Sequence, residues 1–234
     1  MQDRFSTPLY EPAYAARLLR MHPARVRRWL FGYTFKTGKG DTVRHRSQSP
    51  LIRRGTEGTV RDASFLDLME LLFARDFLEH GISLHRMRRA LAEAVDFYRV
   101  DHPFAHKRFF TAGKQIFLEI RGKQGNAPNL LQLLSGGQWA IAPIVRQYAR
   151  QIDFGAGTDV AERWWPLGRD EPILVDPRIA FGSPAVVGRG VRTAVLYDLY
   201  VGERRDFRAV AGWMGLDIDA VKAAVRLEEQ YRAA

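Results

Sequence analysis

A chain of 234 residues that is 46% hydrophobic and 26% charged has an ordinary globular composition, enough for one large domain or two small ones. It contains no cysteine, which excludes disulfides and thiolate metal sites. The opening MQDRFSTPLYEP lacks the apolar run of a signal peptide, and no stretch approaches the ~20 apolar residues of a membrane span, so a soluble cytoplasmic protein is expected. The net charge of +10 is placed unevenly. Residues 1–62 hold 13 Lys/Arg against 5 Asp/Glu, while 63–110, 111–172 and 173–234 are each within one charge of neutral. A basic excess confined to one segment is an electrostatic footprint for a polyanion such as nucleic acid.

In chain order, residues 11–33 read as two short helices joined by a tight turn. Pro12 suits the first turn of a helix, where its missing N–H is not needed. Ala15, Ala16 and Leu19 form an inward face, Met21-His22 makes the turn, and Pro23 starts the second helix. Val26, Trp29 and Leu30 fall on its buried side by i, i+3, i+4 spacing, Arg25 and Arg28 point away, and Gly32 ends it. This is the sequence form of a helix-turn-helix, which lays its second helix in the major groove of DNA. Residues 33–62 are polar and basic. Tyr33-Thr34-Phe35 and Leu51-Ile52 are the strand seeds of an expected two-stranded wing whose tip carries Lys36, Lys39, Arg44 and Arg46.

Two helices follow over 64–98. Ser64 with Asp67 forms a capping arrangement, and Phe65, Leu68, Met69, Leu72 and Phe77 share one helical face. Gly81 stops that helix, Ser83 caps the next, and Leu84, Met87, Leu91, Val95 and Tyr98 keep the period. Residues 108–120 predict a β-hairpin and 139–152 a helix, while 155–172 reads as a linker. Residues 173–187 alternate strand and turn residues, and a helix is expected from Thr193 to Tyr200. Residues 206–232 repeat the helix-turn-helix pattern, with Ala209, Val210 and Trp213 inward, Gly215 at the turn and Asp217 as N-cap.

Residues 10–98 resemble the MerR-type winged helix-turn-helix through Ala15-Ala16-Arg17-Leu18-Leu19, Val26-Arg27-Arg28-Trp29-Leu30, the basic wing and the helices from Phe65. The wing is longer than that family's compact form, and no long dimerisation coiled coil follows. Residues 173–231 resemble a small domain of bacterial VapB-like antitoxins through Val175-Asp176-Pro177-Arg178, Phe181-Gly182-Ser183-Pro184 and Arg192-Thr193. Together with HPFAHKRFF and the Trp164-Trp165-Pro166 stretch, the chain looks like the longer two-domain members of these antitoxins. The resemblance implies a PIN-like ribonuclease toxin as partner, double-stranded operator DNA as ligand, and a homodimer.

The candidate DNA-binding residues are Arg25, Arg27, Arg28, Tyr33, Lys36, Lys39, Arg44, Arg46, Arg53 and Arg54. Arginine suits the task because its planar fork can bond guanine bidentately or clamp phosphate. The second helix-turn-helix fails the same test: residues 203–234 hold 6 basic and 6 acidic residues, and Asp217 and Asp219 at its second helix would repel phosphate. It reads as protein-facing or as a structural cap. Candidate toxin contacts are Trp164, Trp165, Arg178, Arg189 and Arg192, the tryptophans being equally readable as linker residues packed on the core. The six histidines form no metal pattern, the acidic pairs Asp170-Glu171 and Glu228-Glu229 do not converge, and no phosphate loop or nucleophile elbow occurs.

The expectation is an α+β, mainly α, chain: a winged helix-turn-helix with two following helices over 1–100, a hairpin and helix middle with a linker over 101–165, and an antitoxin-type domain over 166–234. Its expected function is that of a non-enzymatic antitoxin that neutralises a PIN-like toxin and binds its own operator, with no cofactor or metal. The alternative is a MerR-like, ligand-responsive transcriptional regulator.

Overall fold

The computed structural model describes residues 4–38, 42–54, 61–107, 147–148 and 150–233. Over these it is a mixed fold of α-helices and four small antiparallel two-stranded sheets. The predicted hairpin over 108–120, most of the helix predicted over 139–152, and Lys39 lie outside the described residues.

Strand β1 (Pro8–Tyr10) pairs with β4 (Ala63–Ser64), closing the first sixty residues into a loop. Helix α1 (Pro12–Leu18) buries Ala15, Ala16 and Leu18, small enough on one side for close approach to α2 (Pro23–Phe31). Arg20 takes a left-handed conformation (φ +51°) that ends the first helix, and His22 caps the second by accepting the Ala24 amide at 3.2 Å. Val26, Trp29 and Leu30 enter the core, leaving Arg25, Arg27 and Arg28 exposed. Gly32 (φ +72°) ends α2. A Cβ there would lie 2.4 Å from the Gln48 carbonyl, so only glycine fits.

The ribbon that follows differs from the expectation in one arm. Strand β2 (Tyr33–Thr37) pairs with β3 (Arg44–Gln48), and not with Leu51-Ile52. The reason is burial. Both arms of the ribbon stand in solvent, which suits the polar Arg44–Gln48 segment, whereas Leu51 and Ile52 gain by entering the core. Their amides both donate to the Trp29 carbonyl, at 2.7 and 3.1 Å, tying the returning chain to the end of α2.

Helix α3 (Phe65–Glu79) is the central element. Its capping box is complete: Ser64 accepts from the Asp67 amide at 3.1 Å, and Asp67 accepts from the Ser64 amide at 2.8 Å. The predicted stripe Phe65, Leu68, Met69, Leu72 and Phe77 is buried, and so are Glu70, Leu71 and Phe73. Helix α4 (Leu84–Tyr98) is capped by Ser83 and ends at a left-handed Arg99. A 3-10 turn at Pro103–Ala105 then sets Phe104 4.3 Å from the Phe73 ring, with Tyr148 edge-on to Phe73 at 5.0 Å.

The stretch read as a linker is ordered structure. β5 (Ile152–Phe154) pairs with β6 (Ala161–Trp164), and Trp164 exchanges backbone bonds with Val175 at 3.0 and 2.8 Å. Its buried ends, Ala161 and Trp164, flank the more exposed Glu162 and Arg163, so no period-2 alternation marks the strand in the sequence. β7 (Ile173–Leu174) pairs with β8 (Ala185–Val186), and three helices close the chain: α5 (Thr193–Gly202), α6 (Phe207–Met214) and α7 (Ile218–Arg232). Trp213 does not face inward as expected; it is 66% exposed. The inward stripe of α6 is Phe207, Val210, Ala211 and Met214, an i, i+3, i+4, i+7 set that leaves position 213 well off its centre. Asp217 occupies the N-cap position of α7 but makes no capping bond with its side chain.

One continuous core runs from Tyr10 and α1 to Tyr231 in α7. Two buried polar contacts weld its ends. The Tyr10 hydroxyl donates to the Gly182 carbonyl at 3.1 Å. Glu228, 2% exposed, takes the Arg17 guanidinium on one oxygen and the Thr193 hydroxyl on the other, the latter at 2.6 Å. Arg17→Ala strands that carboxylate with one partner, and a stability loss of about 2 kcal/mol is expected by thermal or denaturant unfolding. Arg20→Ala, on an exposed neighbour, should change little.

Candidate nucleic-acid interface

Strand register brings Arg44 and Arg46 of the ribbon to the same surface as Arg28 of α2. Tyr33, Phe35 and Thr37 alternate onto one face of β2, and their cross-strand partners Gln48, Arg46 and Arg44 stand on the same face. Lys36 and His45, paired with each other, take the opposite face. The Arg28 guanidinium sits 5.2 Å from the Tyr33 ring centre, and Tyr33 is 5.6 Å from Phe35. Arg28, Tyr33, Phe35, Arg46 and Arg44 therefore run from the helix out along the ribbon as one aromatic and cationic strip. Tyr33 and Phe35 each remain 38% exposed. Among the described residues none of Arg25, Arg27, Arg28, Lys36, Arg44 or Arg46 forms an ion pair.

An isolated two-stranded ribbon is marginally stable, so its root must be held. Arg88 of α4 does this by donating to the carbonyls of Ser49 and Pro50, at 2.7 and 3.0 Å. The two remaining candidates of this group differ from the rest. Arg53 makes a loose exposed pair with Asp96 at 3.7 Å. Arg54 is turned inward: it bonds Asp67 at 3.1 Å and the Asp62 carbonyl at 2.5 Å, and lies 5.5 Å from the Phe31 ring centre. It is committed to holding the returning chain against α3.

The C-terminal candidates also separate. Trp164 is 4% exposed and Trp165 donates its indole N–H to Asp153 at 2.9 Å, so the pair is packed in place. Arg178 is tied to Asp176 at 2.8 Å and to Glu162 at 3.0 Å, and stacks 5.3 Å from Phe5. Arg189 and Arg192 are exposed and form no ion pair among the described residues. A shallow depression between β5 and β6 is lined by Lys107, Asp153, Glu162, Arg163 and Arg169, and is polar. No group of His, Asp or Glu among the described residues is arranged to hold a metal ion, and no described helix is long and apolar enough to cross a membrane.

No known family model matches the chain. It is similar along nearly its whole length to a Mycobacterium tuberculosis protein named "Putative antitoxin VapB45": 27% identical over 232 residues, 96% of this chain and 95% of that one. Its fold is similar to the crystal structure of Rv2018 from Mycobacterium tuberculosis, with a TM-score of 0.66 and 25% identity, covering 95% of this chain and 100% of that one.

A buried charged cluster beneath the interface went unseen in the sequence. Asp67 receives Arg54, the Ser64 amide and, at 3.1 Å, His102 Nε2. One turn on, Glu70 is fully buried and accepts the amides of Phe104 and Ala105 at 2.6 and 3.2 Å. The cluster pins the 3-10 turn to α3. Asp67 lies 35 residues from His102, and Glu70 lies 34 from Phe104 and 35 from Ala105, so no spacing signal marks the cluster and only the fold brings it together. Burial pushes the Glu70 carboxyl up to about 8, against the pull of His102 and the two amides. Burial opposes charge on His102 as well, but the bond and charge of Asp67 outweigh it and raise its pKa. A carboxyl raised in the folded state costs stability as pH climbs from its unfolded value of about 4.5 towards 8. A raised His102 contributes below its unfolded 6.5 and loses that contribution as pH rises through the folded value. Both act in one direction, so melting temperature should fall between pH 5 and pH 8. Glu70→Gln should flatten that fall, and an unchanged slope would contradict the assignment.

Proposed function

We propose that this chain is a non-enzymatic antitoxin with two tasks. Residues 1–100 form a MerR-like winged helix-turn-helix reader that binds double-stranded operator DNA and regulates its own operon. The middle and C-terminal parts, 101–165 and 166–234, hold a PIN-like ribonuclease toxin inactive in the cytoplasm. The observation that carries the reading is the similarity across nearly both full lengths to the Mycobacterium protein with an antitoxin name. The unpaired cations gathered on α2 and the ribbon support the DNA-binding half.

In this reading α2 enters the major groove with Arg25 and Arg28 towards base edges, while Arg27, Lys36, Arg44 and Arg46 take phosphates. Tyr33 supports Arg28 from below through its ring face. Two half-sites one helical turn apart would be met by a homodimer. A PIN-like nuclease site is acidic and metal-dependent, so a basic residue entering it would compete with its metal and substrate. Arg189 and Arg192 suit this better than Arg178, whose charge is already matched by Asp176 and Glu162.

Copurification with a nuclease encoded in the same operon, and loss of its RNA cleavage on mixing, tests the antitoxin half. A chain that neither binds nor silences such a nuclease ends the proposal. On promoter DNA, Arg25→Ala and Arg28→Ala should each cost about 1–3 kcal/mol if they contact bases bidentately. Lys36→Ala should weaken all sequences alike and reduce the salt slope by about one. Mobility-shift titrations at several salt concentrations separate the two effects.

A further inference from the structure

The connection between β7 and β8 contains an unusual turn. Ala180, Phe181 and Gly182 all have positive φ, at +50°, +54° and +71°. Glycine adopts this region freely, but two successive side-chain-bearing residues there cost free energy that other contacts must offset. Phe181, at the centre, is 84% exposed, the most exposed of the large apolar residues described. The turn sets the Gly182 carbonyl for its bond to Tyr10, but at 84% exposure the Phe181 ring itself adds little to the packing.

Both flanks of the turn are fixed. On the entry side Asp176, 1% exposed, binds Arg163 at 3.0 Å and Arg178 at 2.8 Å and accepts the Arg178 amide at 2.9 Å. On the exit side the Gly182 carbonyl receives the buried Tyr10 hydroxyl, and a Cβ at Gly182 would lie 2.3 Å from that oxygen. The turn is thus anchored at each end and cannot relax by sliding. Its neighbour is the loop of Arg189, where the Cβ position of Gly190 is 3.6 Å from the Ile179 side chain. From Pro177 to Tyr197 the chain holds three arginines and no acidic residue.

We infer that Phe181 is a preformed anchor that inserts into an apolar pocket on the nuclease partner, with Arg189 and Arg192 engaging an acidic rim around that pocket. The inference rests on the antitoxin reading above and deepens it by naming the contact. With the turn's backbone already fixed, docking costs little main-chain entropy, and residues that dominate an interface sit near its centre in well-packed, desolvated pockets. The unpaired arginines would steer association with an acidic protein and make it salt-dependent.

The test uses the full chain and the nuclease that copurifies with it, with the dissociation constant measured calorimetrically. Phe181→Ala should weaken the complex at least tenfold, and Arg189→Glu with Arg192→Glu should weaken it and reduce its salt dependence. Phe181→Gly, which relieves the backbone, should keep the melting temperature at or above that of the unaltered chain while losing the same affinity. All three variants should keep their affinity for promoter DNA. If the unaltered chain binds no nuclease, the antitoxin reading and this inference fall together. If it binds and Phe181→Ala binds equally, this inference alone falls. It is also overturned if Phe181→Ala melts lower, which makes the ring structural, or turns a dimer into a monomer, which assigns it to a second copy of this chain.

Discussion

Glu228 is a carboxylate removed from water, and so it must find its partners inside the protein. It finds Arg17 from α1 and Thr193 from the first turn of α5, and in doing so joins the first helix of the chain to two of its last. Removing either donor leaves a buried acceptor short of a bond, so the junction tolerates little displacement. Tyr10 and Gly182 repeat the same logic a short distance away. The position of α1 is therefore set by the C-terminal helices, and α2 and the ribbon inherit their orientation from α1. A segment held in this way is coupled to the body behind it, which matters for a protein proposed to bind two partners.

The arginines divide into two populations. Arg17, Arg54, Arg75, Arg163 and Arg178 are engaged by carboxylates or carbonyls and hold segments together. Arg25, Arg27, Arg28, Arg44 and Arg46 stand in solvent without a counter-charge among the described residues. Water satisfies a lone guanidinium at little cost, but a cluster of them repels itself, and a polyanion relieves that repulsion. This contrast, more than the net charge, marks the candidate interface. The row from Arg28 through Tyr33 to the tilted Phe35 ring adds a reason for its shape, since these contacts stiffen a ribbon that has no core of its own.

Much of the local structure was legible. The capping box at Ser64 and Asp67, Pro12 and Pro23 at helix starts, and Gly32 and Gly215 at helix ends are set by bonds and dihedrals within a few residues. The readings that failed depended on distant partners. Leu51-Ile52 read as a strand arm but left the ribbon for the core, the segment over 155–172 held β6, and Trp213 turned outward because the stripe of α6 is centred on Val210 and Ala211.

By itself the sequence determined where helices begin and end, which residues have helical apolar faces, and that the positive charge belongs to the first 62 residues. These follow from short-range geometry and from composition. Only the tertiary structure decided which charges are spent internally, as with Arg54 and Arg178, and which remain available. Only it showed that Glu70 and His102 share a buried cluster and that Phe181 is held exposed on a strained turn. The reason is physical: the environment of a charged or aromatic side chain is fixed by what packs against it, and those neighbours come from anywhere along the chain.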